Sequence, residues 1–412
     1  MSAPATTTVA SSPSPPTDGK LGLELRVYKD VGDLDMIRNS WDELLSHYPP
    51  ATTFCTWEWL RSWWECFGED RRLLTIALFR GNDMVGLAPL SISKERMGYF
   101  SLRAVRLMGD GSGDSDNLDL PVRPGFEQVF AEKLLQYLWT NRRDWDVCLF
   151  NTLPHDSLMG LRMSKALRGS KWSAFEYSTR CCTVVLPDCW ELYISQLSTE
   201  DRTNLARYTR RLDKHYSVRT LRCQDPAALE SYLEELFQLH QGRWQKAGEP
   251  GSFSSQPRRT FYLKLARRLM QRDWLELWLL QLDGCIAAAQ FAFRYGDKVF
   301  QLQEGYDHDR ASDRPGYVLR GHVLQQLISR KIRVYDFLGG EDSYKSRWGA
   351  VGGHYRNIHF APILGIGGAW LHMADKSAKG KEWLRKKSPP VLWNRLHHLN
   401  MAIRKYGNKG EP

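Results

Sequence analysis

A mixed α/β chain made of two similar units is the fold class this sequence predicts, and three observations carry it. The length of 412 residues suits two domains. A hydrophobic fraction of 42%, with 16 Trp, 17 Tyr and 16 Phe, supplies apolar surface for ordinary globular cores. The same rhythm of helix, hairpin strands, helix and strand then occurs twice along the chain.

In the first half the aromatic helix CTWEWLRSWWECFG precedes the strand LLTIALF. A turn at Gly81-Asn82-Asp83 leads into MVGLAPLSI, and after a Gly/Asp-rich loop come the helix EQVFAEKLLQYLWT and the strand DVCLFN. In the second half the helix RRTFYLKLARRLMQR precedes LELWLLQL, a turn at Asp283-Gly284, CIAAAQFAFRY and KVFQLQEGY. The helix PGYVLRGHVLQQLISRK and the strand VYDFLGG close that half. The two turns carry residues that suit tight hairpins. The expected division is a disordered lead-in over 1–20, a first unit over 21–187, a second over 188–366 and a basic tail over 367–412.

The opening MSAPATTTVASSPSPPTD has no apolar core of the kind a signal peptide needs. No apolar run reaches the roughly 18 residues of a membrane span. A cytoplasmic location is therefore expected. Eight cysteines, at 55, 66, 148, 181, 182, 189, 223 and 285, include no C-x-x-C pair, so no metal site is expected. The net charge is +10, but residues 367–412 hold ten Lys/Arg against three Asp/Glu, leaving the body near neutral. A dedicated nucleic-acid binder carries its basic patch on the folded domain, which argues against that class.

Four segments could carry chemistry. The loop GDGSGDSDNLDL (109–120) resembles a calcium loop only superficially: Ser115 replaces the sixth-position glycine and Pro121 the twelfth-position glutamate. It reads as a flexible acidic loop or as one lining a cleft. The stretch STEDRTNLARYTRRLDK (198–214) opens with Ser198 and Asp201 in capping-box spacing and sets Leu205, Tyr208 and Leu212 on one face. Arg202, Arg207, Arg210, Arg211 and Lys214 form either a solvated face or a wall attracting an anionic ligand. In AALESYLEELFQLHQGRW, His240 lies on an apolar stripe, as a core histidine or, at a cleft edge, a general base. In EGYDHDRASDRPGYVLRGH, Arg310 and Arg314 flank a helix start at Pro315, a natural anion site or an ordinary connector.

Taken with LHQGRW (239–244), EGYDHD (304–309), RPGYVLRGH (314–322), YDFLGGEDSYKSRWGA (335–350) and FCTWEWLRSWWECFG (54–68), the chain resembles the CelD/BcsL-type branch of the GNAT acyltransferase superfamily. That branch is similar to the Fem-type peptidyltransferases, which are built from two GNAT-like units. The resemblance covers most of residues 50–360 and implies a tandem of two GNAT-like units. It implies transfer of an acyl group, acetyl above all, from acyl-CoA to an amine or hydroxyl of a cell-envelope or exopolysaccharide-related acceptor. It also implies a donor site at Arg310, Arg314, Gly316 and Tyr317, and substrate contacts at Trp244, Glu304, Tyr306, Asp307, Asp342 and Tyr344. Typical members cradle the coenzyme A pyrophosphate in a Gly-rich loop, whereas Arg310 to Gly316 holds one glycine and a proline. The Fem-type relatives use aminoacyl-tRNA, and their Phe-Lys-x-x-Phe-Gly pattern is similar to Tyr344-Lys345-Ser346-Arg347-Trp348-Gly349.

Acyl transfer needs a base for the attacking group and a donor where the oxyanion forms. Asp336, expected at the end of its strand beside the cleft, Glu341 and His240 are the candidate acids and bases; Lys345 is the candidate oxyanion partner. The bland alternative has Asp336 capping a turn and Lys345 pairing with Glu341. Two rival functions remain, an aminoacyl-tRNA-dependent transferase and a non-catalytic partner of a polysaccharide-synthesis complex. In the tail, Leu392, Leu396, Leu399, Ile403 and Tyr406 form an apolar stripe among basic residues. It packs on the body or gives a peripheral membrane contact through residues 376–407.

Overall fold

The computed structural model describes residues 22–169, 171–246, 251–340 and 343–387, without the side chains of 243–246 and 377–387. The expected tail helix beyond Pro389 therefore lies outside the described residues.

The first half runs β1 (Leu23–Tyr28), α1 (Val31–Met36), α2 (Arg38–Ser46), α3 (Trp57–Phe67), β2 (Arg71–Arg80), β3 (Asp83–Met97) and β4 (Phe100–Leu107). It ends with α4 (Glu127–Thr140), β5 (Val147–Pro154), α5 (Leu158–Ala166) and β6 (Trp172–Val185). The second half begins with α6 (Trp190–Gln196), α7 (Thr199–His215), β7 (Val218–Arg222), α8 (Leu229–Lys246) and α9 (Gln256–Gln271). It continues with β8 (Leu275–Leu282), β9 (Cys285–Tyr295), β10 (Lys298–Tyr306), α10 (Pro315–Ser329) and β11 (Val334–Gly339). The last elements are α11 (Ser343–Ser346), β12 (Val351–Pro362) and α12 (Ile366–Lys387).

Among the described residues the strands form one 12-stranded sheet in the order β1-β2-β3-β4-β5-β12-β6-β11-β10-β9-β8-β7. Each half contributes four antiparallel strands and a fifth joined in parallel: β4 to β5 in the first, β10 to β11 in the second. The tandem α/β architecture is thus what the repeated rhythm announced. The chain order hides an exchange, however. Strand β6, from the first half, pairs with β11, while β12, from the second, pairs with β5. The two exchanged strands then pair with each other along twelve residues, Val351↔Thr183 to Pro362↔Trp172.

The first half has four antiparallel strands where two were expected: β1 was not expected, and β4 reads as polar because Arg103 and Arg106 interrupt FSLRAVRL. Their charges are met locally, Arg103 by Asp146 at 2.8 Å and Arg106 by Glu95 at 2.8 Å. The Asp283-Gly284 turn is tight as expected, with φ of 50° and 86° joining the Leu282↔Cys285 pair.

The aromatic helix α3 explains how the halves lock. Trp59, fully buried, meets Phe261 edge-on at 5.4 Å and Phe293 at 5.1 Å, both from the second half. Burying such rings contributes about 2–3 kcal/mol each. On the rim of this contact, Arg272 reaches the buried Glu58 at 2.7 Å and Arg268 reaches Ser62 at 2.7 Å. No helix among the described residues is long and apolar enough to cross a membrane.

Candidate active site

The cleft arises from two strands that begin together and part. β10 and β11 pair in parallel only from Lys298↔Val334 to Phe300↔Asp336. Beyond that point each carries a bulge against its other neighbour. In β10 the register with β9 slips between Gln301 and Gln303, leaving Leu302 opposite no residue. In β11 the register with β6 slips between Asp336 and Gly339, where Leu338 takes φ 60°. The strands diverge around a cavity of about 690 Å³, large enough for a small-molecule substrate.

Its walls come from both halves. Gln301 to Glu304 of β10 face Phe337 to Gly339 of β11; Arg314, Gly316, Tyr317 and Arg320 line it from the start of α10. Helix α7 adds Asp201, Asn204 and Tyr208, and the first half's loop adds Gly113, Asp114 and Asp116. That loop is anchored rather than flexible. Asp114, buried, bonds the Tyr262 hydroxyl and the Arg258 guanidinium, both at 2.9 Å. Asp116 accepts the Gly339 N–H at 2.8 Å, and Asn117 donates to Asp336 at 3.3 Å and to the Tyr355 hydroxyl at 3.1 Å. Burial raises the Asp116 carboxyl above its ordinary range, with the Gly339 N–H and Lys345 opposing the rise.

Asp336 stands elsewhere than expected. It lies within β11 at the last parallel pair and outside the cleft lining, because side chains alternate across the strand and its neighbour Phe337 takes the cleft side. One of its oxygens accepts the Leu338 N–H at 2.7 Å, the turn-capping role. Burial lifts its carboxyl to about 6.

Lys345 lines the cleft, but its Nζ donates to the carbonyls of Gly339 at 2.7 Å, Gly340 at 3.1 Å and Phe337 at 3.2 Å. An ammonium has three N–H donors, so this geometry ties it to the strand end rather than to an oxyanion. Glu341 and Asp342 lie outside the described residues.

Of the remaining expected residues, His240, Glu304, Tyr306, Arg314, Gly316, Tyr317 and Tyr344 line the cleft. His240 sits edge-on to Phe253 at 4.9 Å. Glu304 is ion-paired with Arg320, whose guanidinium also stands 5.2 Å from the Tyr344 ring. Arg310 and Asp307 do not line it: they pair with each other at 3.3 Å, and Arg310 lies 5.4 Å over Tyr216. Asp307 also caps the short turn before α10 by accepting the Asp309 N–H. Trp244 lies on α8, its side chain outside the description. The residues missed from sequence are Asp114, Asp116, Arg320 and Arg347. The nearest signal for the two acids was the density of Asp and Gly in residues 109–120, and the two arginines lay inside the motifs RPGYVLRGH and YDFLGGEDSYKSRWGA.

Arg314 begins α10 from a left-handed conformation, φ 57°, and its side chain does not cap the helix. Gly316 of the first turn of α10 lines the cavity together with Arg314 and Arg347, a set that fits a phosphate-bearing ligand. Among the described residues no group of three or more His, Cys, Asp or Glu could hold a metal ion.

Solved structures share the fold, two of them as follows. The crystal structure of FemX superposes with a TM-score of 0.54 at 12% identity, over 78% of this chain and 95% of that one. A conserved protein of unknown function from Bacteroides thetaiotaomicron gives 0.50 at 12% identity, over 82% and 100%. No curated protein matches the chain. The segment that builds most of the cleft, residues 200–346, matches the family described as Acetyltransferase (GNAT) domain, Acetyltransf_6.

Proposed function

We propose that the chain is an acyltransferase that moves an acyl group, acetyl in the simplest case, from acyl-CoA to an amine or hydroxyl. The acceptor class is a cell-envelope or exopolysaccharide-related molecule, carried over from the resemblance of the motifs. The observation that carries the reaction type is Asp116. It is a carboxylate from the first half, held in the cleft between the splayed strands of the second, with its proton affinity raised by burial. A base of this kind matches the removal of a proton from an attacking amine or hydroxyl.

Acyl-CoA would bring the acyl group activated as a thioester, with its phosphates toward Arg314, Arg347 and the first turn of α10. On this reading the bulge at Leu302, which lines the cleft, is the candidate source of a backbone N–H for the developing oxyanion. Asp116 takes the acceptor proton as the new N–C or O–C bond forms, and the C–S bond breaks with its electron pair leaving on sulfur as the coenzyme A thiolate. Lys345 keeps the bulged strand end, and so Asp116 through Gly339, in place. The test is calorimetry with acetyl-CoA together with a thioester-loss assay over a panel of amines and alcohols, comparing the native chain with Asp116→Asn. Native-level thioester loss by the variant overturns the base assignment.

A second reading, a Fem-like aminoacyl-tRNA-dependent transferase, is favoured by one feature. Helix α7, whose Asp201, Asn204 and Tyr208 line the cleft, exposes Arg207 and Arg210 and half-buries Arg202. A long polyanion would suit that ridge. Binding of aminoacyl-tRNA together with no response to acetyl-CoA selects this reading over the first.

A further inference from the structure

The end of β12 carries an apolar tip that the fold leaves uncovered. In the turn after Pro362, Ile363 is 54% exposed, Leu364 88% and Ile366 47%, and Met373, two helical turns along α12, is 56% exposed. Side chains seven residues apart share a helix face, so Ile366 and Met373 extend one patch. The tip is built into the sheet. The Ile363 N–H bonds the Lys171 carbonyl at 3.0 Å, and the Ala369 N–H bonds the Gly365 carbonyl at 3.1 Å. Gly367 presses on the backbone of Asp146, where an added Cβ would stand 1.7 Å from the carbonyl oxygen. Grouped exposed apolar side chains of this kind mark an interaction site.

Cations surround the tip. Lys171 is its hydrogen-bonding neighbour, and Asp146 under Gly367 is held by Arg103, whose guanidinium also reaches the Arg143 carbonyl. On the same face the half-buried Trp139 ring lies 4.9 Å from the Arg142 guanidinium and 5.5 Å from the Lys171 ammonium. Exposed acids here are Asp144 and, half-buried on α12, Asp375. From the tip, α12 opens the segment 367–412, in which ten Lys/Arg face three Asp/Glu.

We propose that the Ile363–Ile366 turn and the first two turns of α12 dock on an anionic lipid surface. The apolar tip enters the headgroup layer while Lys171, Arg142 and Arg143 meet lipid phosphates. An interfacial Trp flanked by Lys and Arg is the composition found at membrane–water boundaries. A second copy of the chain fits less well, since two such faces would bring like charges together.

The test is flotation of the full chain with vesicles of phosphatidylglycerol and phosphatidylcholine, against phosphatidylcholine alone. The native chain should favour the anionic vesicles by at least about tenfold, less so at high salt. Leu364→Asp with Ile366→Asp should lower binding by roughly tenfold or more without changing the melting temperature. Arg143→Glu with Lys171→Glu should abolish the preference for anionic vesicles. Undiminished binding by the first double variant overturns the proposal and makes the basic tail the anchor. A native dimer that this variant converts to monomer also overturns it and makes the patch a self-interface.

Discussion

The Asp116 carboxylate accepts a hydrogen bond from the Gly339 N–H at 2.8 Å, across the seam between the two halves of the chain. The contact joins a loop that follows β4 to the bulged end of β11, 223 residues later. It makes the cleft a product of both halves: the second supplies the splayed strands and the first supplies the carboxylate. A second-half fragment alone would keep the cavity walls of β10 and β11 but lack the base.

Asp116→Asn keeps an acceptor for Gly339 and removes the basicity. On the proposed mechanism the rate of acyl transfer should fall by about 100-fold or more, the usual range for a positioned general base. Donor affinity should be unchanged. The native rate should rise with pH through the raised Asp116 value and then level, and the variant should lose that limb. A pH–rate profile of kcat measures both, and an unchanged acid limb in the variant counts against Asp116.

Lys345→Ala should act through the strand end. Its removal strips three carbonyls of their donor, one of them fully buried. An unsatisfied buried group costs about 1–3 kcal/mol, so urea unfolding should show a loss of that order. Lys345→Arg, which retains donors, should recover part of the stability. If Lys345→Ala leaves stability intact while turnover collapses, Lys345 acts on the substrate and the holding role is wrong.

Much of this architecture was legible from periodicity. The helices around Trp59, Phe261 and Leu324 and the strands around Leu277, Phe291 and Phe300 carry strong apolar patterns, because they build the cores. The strands that were missed are those whose pattern is polar. Arg103 and Arg106 mask β4, and the exposed Ser178, Thr179 and Arg180 mask β6. The exchange of β6 and β12 could not be read, since pairing between residues 168 to 190 positions apart leaves no local trace. At the site, the chemistry-rich stretch 334–350 did line the cleft, yet its individual roles depended on which way side chains point. Asp336 and Phe337 are adjacent, and the pleat sends only Phe337 into the cavity. Asp116 was invisible as a partner of Gly339 because the contact is tertiary.

The donor site separates two arginines that looked equivalent in sequence. Arg314 lines the cleft and Arg310 is engaged with Asp307 and Tyr216. Arg314→Ala should weaken coenzyme A binding by about fivefold to tenfold at low salt, the size of one partly screened phosphate contact. Arg310→Ala should leave it nearly unchanged. Isothermal calorimetry at two salt concentrations checks both, and equal losses from the two variants would place the phosphates elsewhere.

Asp336 supplies a prediction about stability. In the folded chain its carboxyl titrates at about 6, against an ordinary value of 3.8, because burial penalises the charge and Asp116 adds to the penalty. Between those values the folded state holds a proton that the unfolded state has released. Stability contributed by this group is therefore full below about pH 4, declines as pH rises to about 6 and is level above that. The decline amounts to roughly 3 kcal/mol for a shift of this size. Asp336→Asn can still accept the Leu338 N–H but cannot ionise, so its urea midpoint should vary much less than that of the native chain between pH 4 and 6.5. A remainder is expected in the same direction from Asp116, whose carboxyl is also raised. The measurement is a series of urea titrations across that range. A variant that loses stability with rising pH as steeply as the native chain would show that another buried acid sets the slope.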